Sequence, residues 1–501
     1  MIPAILAAAA LSSAANAQLL DWTHFAGAPD RAASARGPAP SSFPSPAIIS
    51  PGATSFLGAS GGVLLRRHAF FLARVNSVHS LVCIDARTRL VLWASPVQPP
   101  FLDSWSAPVI DARNRAVLVA SGTSLACFDA VSGALRWTSP LVRPVVNASP
   151  LVTTDLGGQN RAFITDYDPF GSSGSLYCIN VDPFDPLRNP FLPGDLVWSV
   201  TLGATSGNSP AYADATLFVA AISDGSAFGG PGIIQAFDAR ALSPPSPLWT
   251  FTNPAGHGFY SPVSFREGVV HAASYSFFGG LFNSNLVRLE ASTGALLSST
   301  PCGRTATAPV PLADGRVLLS AGLDGFGSIP TLQCFAPDGS LLWDSALDTW
   351  IDLNANLVID PGEYLRVGGW TLQPAAFASH ALAGTLPPGG SLSAPATDLY
   401  LLDLARFPSH PDFIASHLPG AGTSPTVAWD GILTLGQAGL HALGLFRDDD
   451  VNQDGRVDLE DLFAWEQGLG SRDIDGNGIV NADDRALLLA RLAAPIEDQP
   501  R

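Results

Sequence analysis

The chain has 501 residues, of which 47% are hydrophobic and only 14% charged, with a formal net charge of −17. With 48 Gly and 42 Pro it is composed for short strands and tight turns, not for a helical bundle or a disordered coil. It contains no Lys, which excludes a Lys Schiff base or a Lys general base, and no basic stripe that could replace phosphate counterions, which argues against a nucleic-acid partner.

Residues 1–17 read as a secretory signal: Ile2 to Leu11 form an apolar core, and Ala15-Asn16-Ala17 is a small-x-small cleavage site before Gln18. Residue 18 is not Cys, which argues against a lipid anchor, and no later stretch reaches the roughly 20 apolar residues of a membrane span. The expectation is a soluble protein, secreted or periplasmic, with no membrane span.

From residue 81 onward a pattern of apolar-x-small-apolar-acidic recurs with drift. It begins at Leu81, Leu125, Leu176, Ile234, Leu286, Leu332, Leu399 and Leu440, the last two weakly. A Trp follows several copies after a turn (Trp93, Trp137, Trp198, Trp249, Trp343), and Ser132-Gly133, Thr293-Gly294 and Asp338-Gly339 are two-residue hairpin signals. A Pro precedes or opens most units at Pro108, Pro150, Pro210, Pro262, Pro309 and Pro425, where a first strand residue loses no ladder bond. Each unit therefore predicts four short strands, and four-stranded units at this spacing are propeller blades. The expected fold is an all-β propeller of about eight four-stranded blades, with seven as the alternative because 345–395 is irregular.

The best copy, Leu125 to Trp137, resembles the quinoprotein-type (PQQ-like) propeller repeat, and the resemblance covers residues 18–445. The segment Leu20 to Gly27 is similar to the opening segment of such propellers and is expected to supply the strand that closes the ring. Cys83, Cys127, Cys178 and Cys334 share one repeat position, which predicts buried small hydrophobes without disulfides. The resemblance implies a quinone only if its cofactor residues are present. The adjacent Cys-Cys pair typical of the dehydrogenases is absent, so no PQQ is expected.

The segments that precede the inner strands should share one face of the ring. They carry Trp105, Asn147, Asn208, His257, Tyr260 and Thr307, and the other loops of that face carry Asp166, Asp168, Asp224, Tyr275 and Asp324. Aromatics with Asn and Asp suit a carbohydrate or protein ligand. The bland alternative is that these are turn residues and strand caps. No Ser-His-Asp set, phosphate loop or zinc spacing is visible, so no catalytic residue is assigned.

The last fifty residues carry a second signal. Asp450, Asn452, Asp454, Asp458 and Asp461 place side-chain oxygens at loop positions 1, 3, 5, 9 and 12 around Gly455, and Asp473, Asp475, Asn477, Asn481 and Asp484 repeat this around Gly478. Ca²⁺ takes six to eight oxygen ligands, and such a loop supplies them, with position 7 (Arg456, Ile479) giving its backbone carbonyl. A helical apolar stretch follows each loop, and no helix enters the first. This paired arrangement over 446–494, with 495–501 as a tail, resembles a type I dockerin, a small α-helical EF-hand-like module. The resemblance implies two Ca²⁺ ions and a cohesin-like partner domain. The combined expectation is an exported recognition or scaffold protein without catalysis, in a polysaccharide-degrading context. The alternatives are an extracellular polysaccharide-active enzyme with its site on the propeller face, and a calcium staple that only stabilises the chain end.

Overall fold

The computed structural model describes residues 18–19, 22–35, 37–49, 54–57, 61–169, 171–206, 208–222, 230–275, 284–324, 328–389, 394–410, 412–446, 449, 451–452, 456–470, 472–475 and 479–493. The expected signal (1–17), the tail (495–501), Asp224, and the loop residues Asp450, Asp454 and Asn477 lie outside the described residues. The chain forms two compact units, one of Asp21–Phe446 and one of Arg447–Ile496 with the residues up to Leu20.

The larger unit is an eight-bladed β-propeller, each blade an antiparallel sheet. In seven of the blades the copy of the repeat falls on the third strand, and in the second it falls on the C-terminal half of a long middle strand. Val78–Asp85 carries the first, Gly174–Asn180 the third, Gly232–Asp238 the fourth, and Gly439–Gly444 the last. The apolar positions are buried because alternate residues face the two neighbouring blades. In the second blade one long strand, Ala116–Asp129, pairs through Ala116–Leu118 with the inner strand and through Gly122–Phe128 with the outer one, with Gly122 at φ +58 between. Blade seven, where the sequence was irregular, is Ala375–Ala376, His380–Gly384, Asp398–Asp403 and Ile414–Pro419. The five cysteines are buried and free of disulfides.

The tryptophans tie blade to blade. Trp93, Trp137 and Trp249 sit on outer strands, and each covers the hairpin glycine of the next blade. A Cβ on Gly133 would lie 2.6 Å from Trp93, one on Gly194 3.0 Å from Trp137, and one on Gly294 2.6 Å from Trp249. Those glycines have positive φ, so the turn and the indole both demand Gly. Trp198 Nε1 and Trp249 Nε1 donate to the carbonyls of Ala241 and Ala291 at 2.9 and 2.8 Å. In three blades a Phe of the second strand packs on the Trp of the same blade: Phe70 on Trp93, Phe163 on Trp198 and Phe218 on Trp249, with centroids 5.7 to 6.0 Å apart. Burying each such ring stabilises by about 1.5–3 kcal/mol.

The ring closes in a way the sequence did not indicate. The outer strand of blade eight is Ala47–Ile49, paired with Leu440–Ala442, whereas Leu20–Gly27 was expected there. The described part of that segment continues through Ala35 and bonds the inner strands of six blades. Leu64 N donates to Trp22 O, Ile110 N to Thr23 O, Tyr212 N to Pro29 O, Phe265 N to Asp30 O, and Ala376 N to Ala33 O, all at 2.8–2.9 Å. His24 Nε2 lies 3.0 Å from Val152 O. Inner strands of six blades converge only at the axis, so residues 22–35 plug the channel there. Arg31, fully buried, holds the plug by donating to the carbonyls of Pro210, Phe25, Ser149 and Pro150 at 2.8–3.1 Å. The segment avoids the blade because these free strand-edge groups need partners and only an irregular, Ala- and Gly-rich chain fits among them.

In the smaller unit, Arg456–Val457 pairs with Gln18–Leu19. Helices Leu459–Glu466 and Ala482–Ala493 pack around Val451, Val457, Ala464, Trp465, Ile474 and Leu488.

Candidate calcium loops and propeller mouth

The two C-terminal loops are organised by the residue at position 12. Asp461 is fully buried; its Oδ1 accepts the N–H of Asn452 at 3.1 Å and its Oδ2 that of Asp458 at 2.8 Å. Asp484, equally buried, accepts from Ile474 and Asp475 on Oδ1 (2.7 and 3.2 Å) and from Asn481 on Oδ2 (2.8 Å). In both loops the carboxylate thus ties positions 3 and 9 together. Burial pushes the Asp484 carboxyl up, but the backbone N–H groups of Asn481, Asp475 and Ile474 outweigh it and hold the group below its usual range.

Oxygens of Asp473, Asp475 and Asp484 lie within 4.8 Å of one another. Hard oxygens at that separation suit Ca²⁺, which binds oxygen at 2.3–2.6 Å. Asn481 Oδ1 accepts from Asp483 N at 2.5 Å, and Ile479 leaves its side chain exposed, as a residue contributing only its carbonyl would. In the first loop Asp458 caps its helix by accepting from Glu460 N at 2.8 Å, and Asp461 completes a capping box. Arg456 is described in its backbone alone. Arg491 lies 3.8 Å from Asp449, a buried pair under the second helix.

The residues expected on the propeller face fall into separate groups. Trp105, ahead of the inner strand of blade two, and Tyr260, in blade five, meet in one apolar cluster with Trp370, Ile222 and Leu386. This cluster occupies the axis at the end where chains enter the inner strands, and the plug occupies it farther along. Burial pushes the Tyr260 hydroxyl above its usual range. Asp166 and Asp168 meet through Arg143, at 3.9 and 3.7 Å. Asp166 is 1% exposed and accepts from Ser175 N and Tyr177 Oη at 2.7 and 2.8 Å. Burial raises its pKa against those donors. Asp168 accepts from Ser173 N and Oγ.

Asn208 is buried and donates to Phe259 O at 2.8 Å, which makes it a strut between blades. Asn147, at φ +65, takes a turn conformation and donates its N–H to Ser104 Oγ. Thr307 is buried and donates to Ser320 O. His257 accepts at its carbonyl from Gly232 N and Asn253 Nδ2, both at 2.9 Å. Asp324 receives Arg366 Nη2 at 2.5 Å.

Sequence reasoning missed Trp370, Arg143, Arg366 and Arg304. Arg304 is 1% exposed, with its guanidinium 5.3 Å from the Trp370 ring centroid. Gly368-Gly369-Trp370 before the inner strand of blade seven was the available signal, and the irregular spacing of that blade hid it.

The fold defines this unit as an eight-bladed propeller whose repeat is similar to the PQQ-like repeat. Residues 78–169 match the PQQ_2 family, described as outer membrane protein assembly factor BamB. Among solved structures, a europium-containing methanol dehydrogenase is similar at 8% identity with a TM-score of 0.57, covering 85% of this chain and 89% of that one. The quinohemoprotein alcohol dehydrogenase from Comamonas testosteroni is similar at 12% identity with a TM-score of 0.54, covering 86% and 82%. BamB from Moraxella catarrhalis is matched at 14% identity and a TM-score of 0.48, over 80% and 99%. At these identities the likeness is one of fold. No curated protein sequence matches the chain. Among the described residues no helix is long and apolar enough to cross a membrane.

Proposed function

We propose that the protein is an exported recognition scaffold, in which the propeller presents a binding surface and the C-terminal unit docks, when loaded with Ca²⁺, onto a cohesin-like domain. The observation that carries this reading is the shared design of the two loops: in each, a buried position-12 aspartate fastens positions 3 and 9. One ion would be held by Asp450, Asn452, Asp454, Asp458 and Asp461 with the Arg456 carbonyl. The other would be held by Asp473, Asp475, Asn477, Asn481 and Asp484 with the Ile479 carbonyl. Bound Ca²⁺ would neutralise carboxylates that otherwise repel one another and so favour the compact arrangement of the helices.

The described side chains near the docking helices give a partner something to bind. Leu459 and Phe463 on the first helix are 70% and 62% exposed, on the side opposite the buried Asp461, Ala464 and Trp465. An apolar pair on a small acidic unit suits a protein surface better than a solvated end.

The propeller is read as non-catalytic and free of quinone. Supporting this, the axial mouth is packed by Trp105, Tyr260 and Trp370, and the nearby Asp166, Asp168 and Asp324 each face an arginine. Carboxylates so engaged are poorly placed as a general acid and base pair. A carbohydrate or protein ligand on the outer loops and a polysaccharide-degrading setting belong to the same proposal.

The test is binding of the full chain to a panel of immobilised cohesin domains in millimolar Ca²⁺ and in chelator. Calcium-dependent capture that Asp461→Ala/Asp484→Ala abolishes supports docking. Absence of capture on every cohesin, with Ca²⁺ still bound, would leave the C-terminal unit as a stabilising staple.

A further inference from the structure

The first C-terminal loop is finished by a strand from a remote part of the chain. Gln18–Leu19 runs antiparallel to Arg456–Val457, with Gln18 opposite Val457 and Leu19 opposite Arg456. The whole propeller sequence lies between the two partners, yet both belong to the same compact unit. The pairing falls where such a loop meets its ion. Arg456 and Val457 hold loop positions 7 and 8, and position 7 is the one that gives a cation its backbone carbonyl. The next residue, Asp458, donates its N–H to Asp461 Oδ2 at 2.8 Å. Positions 7 to 9 are thus held from two directions, by the added strand and by the position-12 carboxylate.

The second loop is the internal comparison. Asp484 fastens its positions 3 and 9 as Asp461 does in the first. Position 8 is treated differently. Val457 is 1% exposed and packs with Ala464, Trp465 and Leu488, whereas Val480 is 45% exposed and lies outside any strand. The approach to the loops differs as well. Helix Leu459–Glu466 precedes the second loop, but among the described residues no helix lies between Gly444 and the first. Two loops of one ligand pattern therefore differ in their bracing, and the strand stands where the first lacks a helix.

We propose that Gln18–Leu19 is a positioning element of the first calcium site, a strand added by β-augmentation that sets the backbone of Arg456 for the ion. This role rests on the calcium reading of the C-terminal unit and deepens it. A loop whose position-7 carbonyl is already fixed loses less freedom when the ion arrives, so the strand raises affinity by preorganisation. The effect is mutual: Ca²⁺ in the first loop tightens the strand by the same factor by which the strand tightens Ca²⁺. The second loop has no part in this exchange.

Calorimetric Ca²⁺ titration of the full chain in two backgrounds tests the assignment. Asp484→Ala leaves the first site to be read alone, and Asp461→Ala leaves the second. Leu19→Pro removes a strand N–H and restricts the backbone there. With one or two ladder bonds at stake, it should weaken binding about tenfold in the Asp484→Ala background. In the Asp461→Ala background it should change nothing, which also shows that the proline has not unfolded the unit. Unchanged affinity in the first background, or equal weakening in both, would overturn the proposal. No Ca²⁺ binding by the unsubstituted chain would remove the calcium reading and this role with it. A second variant avoids the proline. Gln18→Cys/Val457→Cys puts thiols on directly opposed residues, so oxidised glutathione should link them, faster in Ca²⁺ than in chelator, as read by peptide mass spectrometry. Absence of the link, or a rate indifferent to Ca²⁺, would contradict the pairing or its coupling to the ion.

Discussion

Replacing Gly294 by alanine separates two constraints that the propeller places on its turns. Gly294 has φ +73, a left-handed conformation that penalises any Cβ by about 1–2 kcal/mol. The new methyl would also lie 2.6 Å from the Trp249 ring, far inside contact distance. That ring is pinned by its bond to Ala291 O, so it cannot simply swing away. Overpacking of this kind adds about 1–3 kcal/mol, for a total of roughly 2–5 kcal/mol. Gly268 is the control: its φ is +80, and a Cβ there meets nothing within 4 Å. Gly268→Ala should therefore show the backbone penalty alone.

Urea unfolding of the full chain, followed by far-ultraviolet dichroism, gives both differences at constant slope. In a Trp249→Leu background the Gly294→Ala penalty should shrink to that of Gly268→Ala, a coupling of about 1–3 kcal/mol. Equal penalties for the two glycines, or no coupling to Trp249, would refute the idea that tryptophan and glycine clasp successive blades.

Burial lowers the pKa of His24 and of His271 to about 3, with Arg31 and Arg288 respectively adding to the effect. The native state then refuses a proton that the unfolded chain takes up below about 6.5. Their stabilisation is complete above pH 6.5 and is lost as the pH falls towards 3, on the order of a few kcal/mol per histidine. The urea midpoint should drop between pH 7.5 and 4.5, and His24→Gln/His271→Gln should flatten that drop; an unchanged slope would contradict it. Arg31→Met strands four buried carbonyls and should destabilise the propeller by roughly 3–5 kcal/mol in the same assay. Burial pushes the Cys83, Cys127 and Cys334 thiols up to about 12, so a thiol reagent at pH 8 should label none of them until the chain is denatured.

What the sequence displayed and what it hid follow from the range of the interactions. The repeat at Leu81, Leu125 and Leu176 was legible because the strand that carries it faces neighbours on both sides, which imposes one local apolar pattern on every copy. Trp93 and Gly133 were legible as single features, but their mutual contact joins residues of successive blades and has no local period. The plug was invisible for a stronger reason: Arg31 answers carbonyls more than 100 residues away, so nothing near it marks its partners. Closure by Ala47–Ile49 was hidden because three residues are too few for a pattern. The paired C-terminal loops stood out through Gly455 and Gly478. On the propeller face, Asn208 and Asp166 looked available in sequence, yet burial has committed both to holding the blades together.

The central proposal is that calcium organises the C-terminal unit into a docking element, whereas the blades of the propeller hold their strands together without it. Hydrogen exchange of the full chain in millimolar Ca²⁺ and in excess chelator tests it most directly. The account predicts that amides of Leu459–Glu466 and Ala482–Ala493 lose protection in chelator while Val78–Asp85 and its counterparts in the other blades do not. Helices equally protected in both conditions would contradict it.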